Sequence, residues 1–574
     1  MATETTNGSA DNSDSAGASA ASEPTVTAPE NKSTGGMMRS SAVMAMGTMV
    51  SRVTGFIRTV ALAAALGTQL LGDAYNTANT IPFIINDLLI GGLMVSVIVP
   101  FLVKRRKRDS DGGKATEDRL FTSAVLLLLA ITTVAILGAQ ALIGLYAGEF
   151  TEPQAEIAVY MARFLLAQIF FVGLSGLISA MLNTRDRFGA PVWAPVLNNL
   201  VIIAVAGAFL WIAGPGRTPE TVTQAEQTLL GLGTTCGMAL QTVVLLLAVW
   251  RAGFRWRPRL DLRGSGLGEA LRTAGWMFLY TCMTQVSFLI TTNIATRAGV
   301  ESVREGTEVG AGITAYNYAY QLFQLPYAII AVSLITVLLP QMSGFAADER
   351  WDEVRGGFSR TLRVSALILV PLALAIALYS VQVSILVFAR GNTSVADAAN
   401  IGAVLAAMAL GLVPFTIFQL MLRVFYAMGD TRTPALISIV NTAVHGTLAI
   451  VAYLVLPPSD VIVGVAGGFM FSFLVGLLIA GGVLSRRLGG LDGGRILATL
   501  VRLYLAAAPA VAVGYAVLWL FTDTLGSGLT TNIGAPVVGC LLGGALFVLF
   551  AWLLGISELR SVTELVRTKL PGRR

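Results

Sequence analysis

The sequence predicts an all-α polytopic membrane protein of about fourteen transmembrane helices, on three observations. Of 574 residues, 55% are hydrophobic and 13% charged, a balance outside that of soluble globular domains. Apolar runs of about eighteen residues or more, each able to cross the hydrocarbon core as a helix, recur from about residue 40 to 555. Basic residues gather at every second joint between those runs.

Residues 1–36 are rich in Ser, Ala, Thr, Glu and Asn and contain no apolar run, so they read as a disordered cytoplasmic tail. They lack the basic start and apolar stretch of a cleaved signal, which leaves targeting to the first span. Spans at 40–67, 75–103, 119–147, 155–184, 190–213 and 226–252 make an N-lobe over 37–263. Spans at 267–298, 309–340, 360–390, 395–428, 433–456 and 460–485 make a C-lobe over 264–487. Two further spans, 495–521 and 529–555, fill 488–556, and a basic cytoplasmic tail follows over 557–574.

Even joints carry Lys104, Arg105, Arg106, Lys107 and Arg108, then Arg185 and Arg187, then Arg251 through Arg263. Arg350, Arg355 and Arg360, Arg432, and Arg486 and Arg487 continue the series. Odd joints carry Asp73, Glu149, Glu152, Glu220, Asp460 and Asp523, with Arg217, Arg297, Arg304 and Arg390 as exceptions. Cytoplasmic loops accumulate Lys and Arg, so the even joints and both termini are expected in the cytoplasm. The same topology accounts for the net charge of +6 without a nucleic-acid partner.

An internal repeat emerges at a shift of about 243 residues. Leu182 to Pro191, with Asn198 seven residues on, meets Phe425 to Pro434, with Asn441 seven residues on; Ile81-Pro82 meets Leu325-Pro326. Six spans per lobe make the repeats parallel, an arrangement used by transporters that rock one half against the other.

Charged groups inside such spans are expensive and read as a polar pathway. Arg52 and Arg58 lie within the first span, and Asn86 and Asp87 within the second; Asp73 falls in the joint between the two. A guanidinium stays charged and forks onto phosphate oxygens, which suits an anion site; the other reading is snorkelling, or a structural pair between Arg52 and Asp87. Six residues apart, the two arginines share a cavity only if Gly55 bends the helix. Pro82 and Pro326 are expected hinges of paired gate helices, the second beside a polar run of Tyr316, Asn317, Tyr320, Gln321 and Gln324. Gly429-Asp430 reads as a tight turn, and His445, four residues after Asn441, as an ion site or a packed histidine. Cys236, Cys282 and Cys540 read as packing residues. No nucleotide-binding, zinc-protease or serine-hydrolase motif is present, so neither a cofactor, a metal nor an enzymatic role is expected.

The segments SRVTGFIR (51–58), GDAYNTANTIPFI (72–84), GLISAMLNTRDRFGAPVWAPVLNN (176–199), YAYQLFQLPYAIIAVSLITVLLPQMS (318–343) and LRVFYAMGDTRTP (422–434) resemble the MurJ/MviN family of lipid II flippases. The resemblance covers residues 37 to about 555. It implies two lobes around a central cavity, two extra helices shaping a groove for a lipid tail, and movement of undecaprenyl-pyrophosphate-linked cell-wall precursor to the outer leaflet of the bacterial plasma membrane. Expected partners are that lipid, membrane lipids and cell-wall synthesis proteins. Arg52, Arg58 and Asp73 match the family's charged positions. Asn86 and Gln321 stand where arginines are often found, and Thr59 where an acid is. Some members bind sodium with acids and an asparagine; Asn441 matches, while His445 and Thr291 replace acids. The alternatives are an exporter of another lipid-linked glycan or a drug, and a non-transporting cell-wall scaffold. Intramembrane arginines have no purpose in a scaffold.

Overall fold

A computed structural model describes residues 34–91, 113–185, 187–259, 267–307, 309–331 and 341–559. Expectations for residues 1–33, the basic run at 104–108, the far ends of the second and eighth spans, Arg263 and the tail from Arg560 lie outside these residues.

Every regular element among the described residues is helical. The first half comprises α1 (Thr34–Leu66), α2 (Leu70–Asn86), α3 (Lys114–Leu137), α4 (Ala139–Tyr146), α5 (Glu152–Leu165), α6 (Gln168–Asn183), α7 (Gly189–Ala213) and α8 (Gln224–Arg251). The second comprises α9 (Leu267–Arg304), α10 (Ile313–Pro326), α11 (Trp351–Phe388), α12 (Val395–Leu410), α13 (Leu412–Ala427), α14 (Arg432–Val455) and α15 (Pro458–Arg487), and α16 (Gly493–Leu525) and α17 (Leu529–Leu553) follow. Helix hydrogen bonds run from α3 into α4 across Gly138, α5 and α6 form one span, and α12 meets α13 at a 51° bend. Pairing these helices yields the expected columns.

Ten described helices, or eleven spans with the bent pair, are long and apolar enough to cross a membrane unaided. The remaining columns are α9, together with α2 and α10, of which 17 and 14 helical residues are described before their π turns; they carry Ser287, Thr291 and Asn293, then Asp73, Asn76 and Asn79, then the tyrosine and glutamine run. Polar residues on a spanning helix require a protein-lined or wet surface, so the seam between the halves lies where these helices meet.

The repeat is visible in the helix starts. α2 and α10 begin at Leu70 and Ile313, α5 and α12 at Glu152 and Val395, and α7 and α14 at Gly189 and Arg432, each pair 243 residues apart. Asn198 and Asn441, equivalent in this register, are both buried, and each carbonyl oxygen abuts a glycine of the following span, Gly237 and Gly476. Buried apolar residues form one large cluster through α9–α17 and two smaller ones in the first half.

Several boundaries move. α1 begins at Thr34, three residues inside the expected tail. Gly67, at φ +70°, ends α1 so abruptly that α2 starts at Leu70, placing Asp73 in a first helical turn instead of a loop. An acid there is favoured by the exposed N–H groups of the helix end. α1 runs through Gly55 without a break; its Cβ side faces the Asn199 amide of α7. Pro82 and Pro326 are buried inside or at the end of their helices, and each helix then loosens into a π turn, at Asp87–Gly91 and Tyr327–Ala331. Glu558, expected in the tail, is buried and ion-paired with Arg363 of α11. Cys236 and Cys540 are exposed on their helices instead of packed, since a thiol is apolar enough to face lipid.

Candidate functional site

Among the described residues, the halves are joined at the end bearing the odd joints through helix caps exchanged in both directions. Of the last carbonyls of α1, Ala63 O accepts the Gly67 N–H (2.9 Å), and those beyond it lie past the helical ladder. They are taken by the loop after α11: Asn392 donates its backbone N–H to Ala64 O (2.8 Å) and its side-chain amide to Ala65 O (2.6 Å), and the Thr393 hydroxyl donates to Ala63 O (2.7 Å). Asn392 Oδ1 also accepts from the Gly216 N–H (2.7 Å). Conversely, Asp73 of α2 accepts the Thr314 N–H (2.8 Å) at the N-terminus of α10. The fit is close: a Cβ at Gly312 would collide with the Asp73 carboxylate, and one at Gly299 would lie 3.0 Å from Oδ2. Asp73, expected to face substrate, is 1% exposed and closes the seam in this arrangement.

The same end explains two exceptions to the charge alternation. Arg217 pairs with Glu226 (2.8 Å), and Arg297 lies between Glu301 (3.5 Å) and, across the seam, Glu149 (3.9 Å). Paired this way, neither adds a net positive charge to its joint.

Deeper in the seam, the Thr59 hydroxyl of α1 hydrogen-bonds the Gln321 side-chain oxygen of α10. The two positions that depart from the resembled family's acid and arginine are therefore hydrogen-bond partners here, without charge. One residue before Thr59, Arg58 is half-buried, lies within electrostatic reach of Tyr75 and Tyr318, and has no carboxylate within 4 Å among the described residues. The Tyr75 hydroxyl is itself held by Thr234 (2.8 Å). Tyr316 and Tyr320 turn the other way and pack on Phe469 of α15 (6.4 and 6.3 Å between centroids).

Arg52 and Asp87 do not pair. Both are exposed, and no ion pair joins them among the described residues. Asp87 opens the π turn that follows α2. Asn86 ends α2 with its side-chain oxygen buried and without a partner among the described residues.

A second intramembrane cation escaped the sequence reading. Arg423 of α13 is half-buried and within electrostatic reach of Tyr280, Tyr327 and Tyr426, with no carboxylate within 4 Å among the described residues. Its signal is an arginine six residues before the Gly429 turn, four residues from the end of α13.

His445 is fully buried, with Nδ1 2.7 Å from the Ser287 hydroxyl of α9 and its ring against Phe469 (5.3 Å). Thr291 bonds its own helix at Ser287 O (3.1 Å). No cluster of three His, Cys, Asp or Glu residues suited to a metal ion exists among the described residues.

At the even-joint end the described clips each stay within one half. Arg185 pairs with Glu117 in the first, and Arg487 with Asp430 in the second. Gly429 adopts φ +72° in the expected tight turn, where Asp430 accepts from the Thr433 N–H (3.0 Å) and hydroxyl (2.6 Å). Burial raises the Asp430 pKa, but those bonds and Arg487 outweigh it and hold the carboxyl below its usual value.

Polar, cation-bearing helices between two repeated halves, sealed at one end, define a polytopic membrane protein of the rocking-transporter class. A family model described as lipid II flippase MurJ matches residues 62–534, and the chain belongs to that family. A probable lipid II flippase MurJ from Rhizobium meliloti (strain 1021) is 28% identical over 536 residues, covering 91% of this chain and 94% of the relative. A solved lipid II flippase MurJ in an inward closed conformation superimposes with a TM-score of 0.70 at 18% identity, over 89% of this chain and 98% of that one. An inward-facing multidrug resistance MATE family transporter of the MOP superfamily follows, with a TM-score of 0.59 at 17% identity, over 78% and 98%.

Proposed function

We propose that this chain flips lipid II, the undecaprenyl-pyrophosphate-linked cell-wall precursor, from the cytoplasmic to the outer leaflet. The odd-joint end faces outward and both termini lie in the cytoplasm. The observation that carries this reading is Arg58: a permanent cation in the seam, without a carboxylate partner among the described residues, below an end closed by exchanged caps. A pyrophosphate requires such a cation, and Asp73, the buried acid of the seam, is committed to α10. Arg423 supplies a second cation nearer the even-joint end, and Asn86 and Gln321 add uncharged hydrogen-bonding groups. Part of the lipid tail lies in an apolar groove of about 320 Å³ between α11, α16 and α17, lined by Leu378, Ala510, Gly543 and Phe547.

In this reading the lobes, residues 37–263 and 264–487, rock about the seam, with Pro82, Pro326 and their π turns absorbing the bend. Cell-wall synthesis proteins are partners for the cytoplasmic face. The deciding experiment supplies the chain to a bacterium depleted of its own flippase and measures lipid II accessible on the outer leaflet. Accumulation on the inner leaflet despite normal membrane levels of the chain would overturn the assignment.

The Ser287, Asn441 and His445 cluster brings no carboxylate to a cation among the described residues. Transport is therefore expected to persist when sodium is replaced by potassium at constant membrane potential. A loss of about tenfold or more would restore the cluster as a sodium site.

A further inference from the structure

A polar cavity of about 530 Å³ lies away from the seam, at the even-joint end of the first half. It is lined by Lys114, Arg185, Arg255, Arg257 and Arg259 against Glu117 and Asp118. Both acids are engaged: Glu117 pairs with Arg185, and Asp118 accepts the Arg257 backbone N–H (3.1 Å). Lys114 and the three other arginines remain exposed at the rim.

Loop arginines often serve only to orient spans, a task that needs charge and no fixed geometry. This segment is fixed. The Thr122 hydroxyl of α3 accepts from Trp256 Nε1 (3.0 Å) and from the Arg259 N–H (3.2 Å), and the Phe121 ring meets Phe254 and Trp256 (5.3 Å each). Arg255 lies over the Trp250 ring (4.4 Å) while donating to the Trp250 carbonyl (3.0 Å). Alternate residues of a non-helical stretch thus offer three guanidiniums to one cavity, and among the described residues none of the three pairs with an acid through its side chain. The half-exposed indoles of Trp250 and Trp256 place the cavity at headgroup depth, and the exposed Leu126, Leu127 and Leu129 of α3 continue from it as an acyl-facing surface.

We propose that this cavity binds the phosphate of an anionic phospholipid headgroup from the leaflet at the even-joint end. The ligand class follows from guanidiniums that fork onto phosphate oxygens beside a lipid-facing helix.

The test is native mass spectrometry of the purified full chain with phosphatidylglycerol or phosphatidylcholine. Wild type is expected to retain one more phosphatidylglycerol than phosphatidylcholine, with affinity falling about fivefold for each of Arg255→Gln, Arg257→Gln and Arg259→Gln. The bonds from Asp118 and Thr122 to the backbone survive these changes, so an unchanged melting temperature without lipid will confirm that the loop stays folded. Equal retention of both lipids, or undiminished phosphatidylglycerol binding by the triple variant, would overturn the proposal. Equally tight binding of inorganic phosphate by lipid-free protein would overturn the lipid source in favour of a soluble phosphoanion.

Discussion

Arg58→Ala is expected to abolish lipid II flipping while leaving the chain inserted and folded. Arg58 has no ion-pair partner among the described residues, so its removal strands no buried acid and opens no gap in a packed core. What is lost is the charge itself. Removing one partner of a desolvated charge pair costs about 3–5 kcal/mol, which slows transport by roughly two to four orders of magnitude if the pyrophosphate is that partner. Arg58→Lys should rescue only in part, because an ammonium cannot fork onto two oxygens at once. Arg52, exposed on the same helix, is expected to lose far less when changed to Ala. With no Arg52–Asp87 pair to relieve, Asp87→Asn should not rescue that change. The readout is growth and outer-leaflet lipid II in a depletion strain at matched protein levels. Normal growth of Arg58→Ala would remove the arginine from the mechanism, and full rescue by Lys would reduce its role to bare charge.

The column count, the parallel repeat and the location of the polar helices were legible in the sequence because each rests on a pattern that survives small errors. Apolar runs tolerate a misplaced end, and paired motifs such as Asn198 and Asn441 tolerate a shifted boundary. The site was less legible because its contacts depend on single residues. Asp73 reads as a cavity acid until α2 is found to start at Leu70, whereupon it faces the end of a helix 241 residues away in sequence. Thr59 and Gln321 look like two independent departures from a charged pattern, and only their hydrogen bond makes them one exchange. A pair between Arg52 and Asp87 rests on equal depth along antiparallel helices, which leaves open the direction each side chain faces, and both turn out exposed. Arg423 was passed over because an arginine near a span end is ordinarily read as snorkelling.

Asp73→Ala is expected to unlatch the odd-joint end. The wild-type carboxylate takes an N–H at the start of α10, where a charged hydrogen bond contributes about 1.5–3 kcal/mol. Its loss leaves the Thr314 N–H in a buried seam without that acceptor, so the closed arrangement should become roughly tenfold to a hundredfold less favoured. Asn392→Ala should act in the same direction, since its side chain bonds both Ala65 O and the Gly216 N–H. Asp73→Asn keeps an acceptor without the charge and should fall between wild type and Ala. The measurement is maleimide labelling, from the odd-joint side, of a cysteine replacing Thr77, which is 2% exposed on α2. Labelling should accelerate in Asp73→Ala and in Asn392→Ala. In the double variant the two effects should couple instead of adding, because both caps close one seam. Flipping should fall in each, since a transporter that cannot seal one end while the other is open loses alternation. If Asp73→Ala stopped flipping while labelling at Thr77 stayed at the wild-type rate, the carboxylate would be acting on the substrate in another arrangement of the lobes, and the closure of this end would have to rest on Asn392 and Thr393 alone.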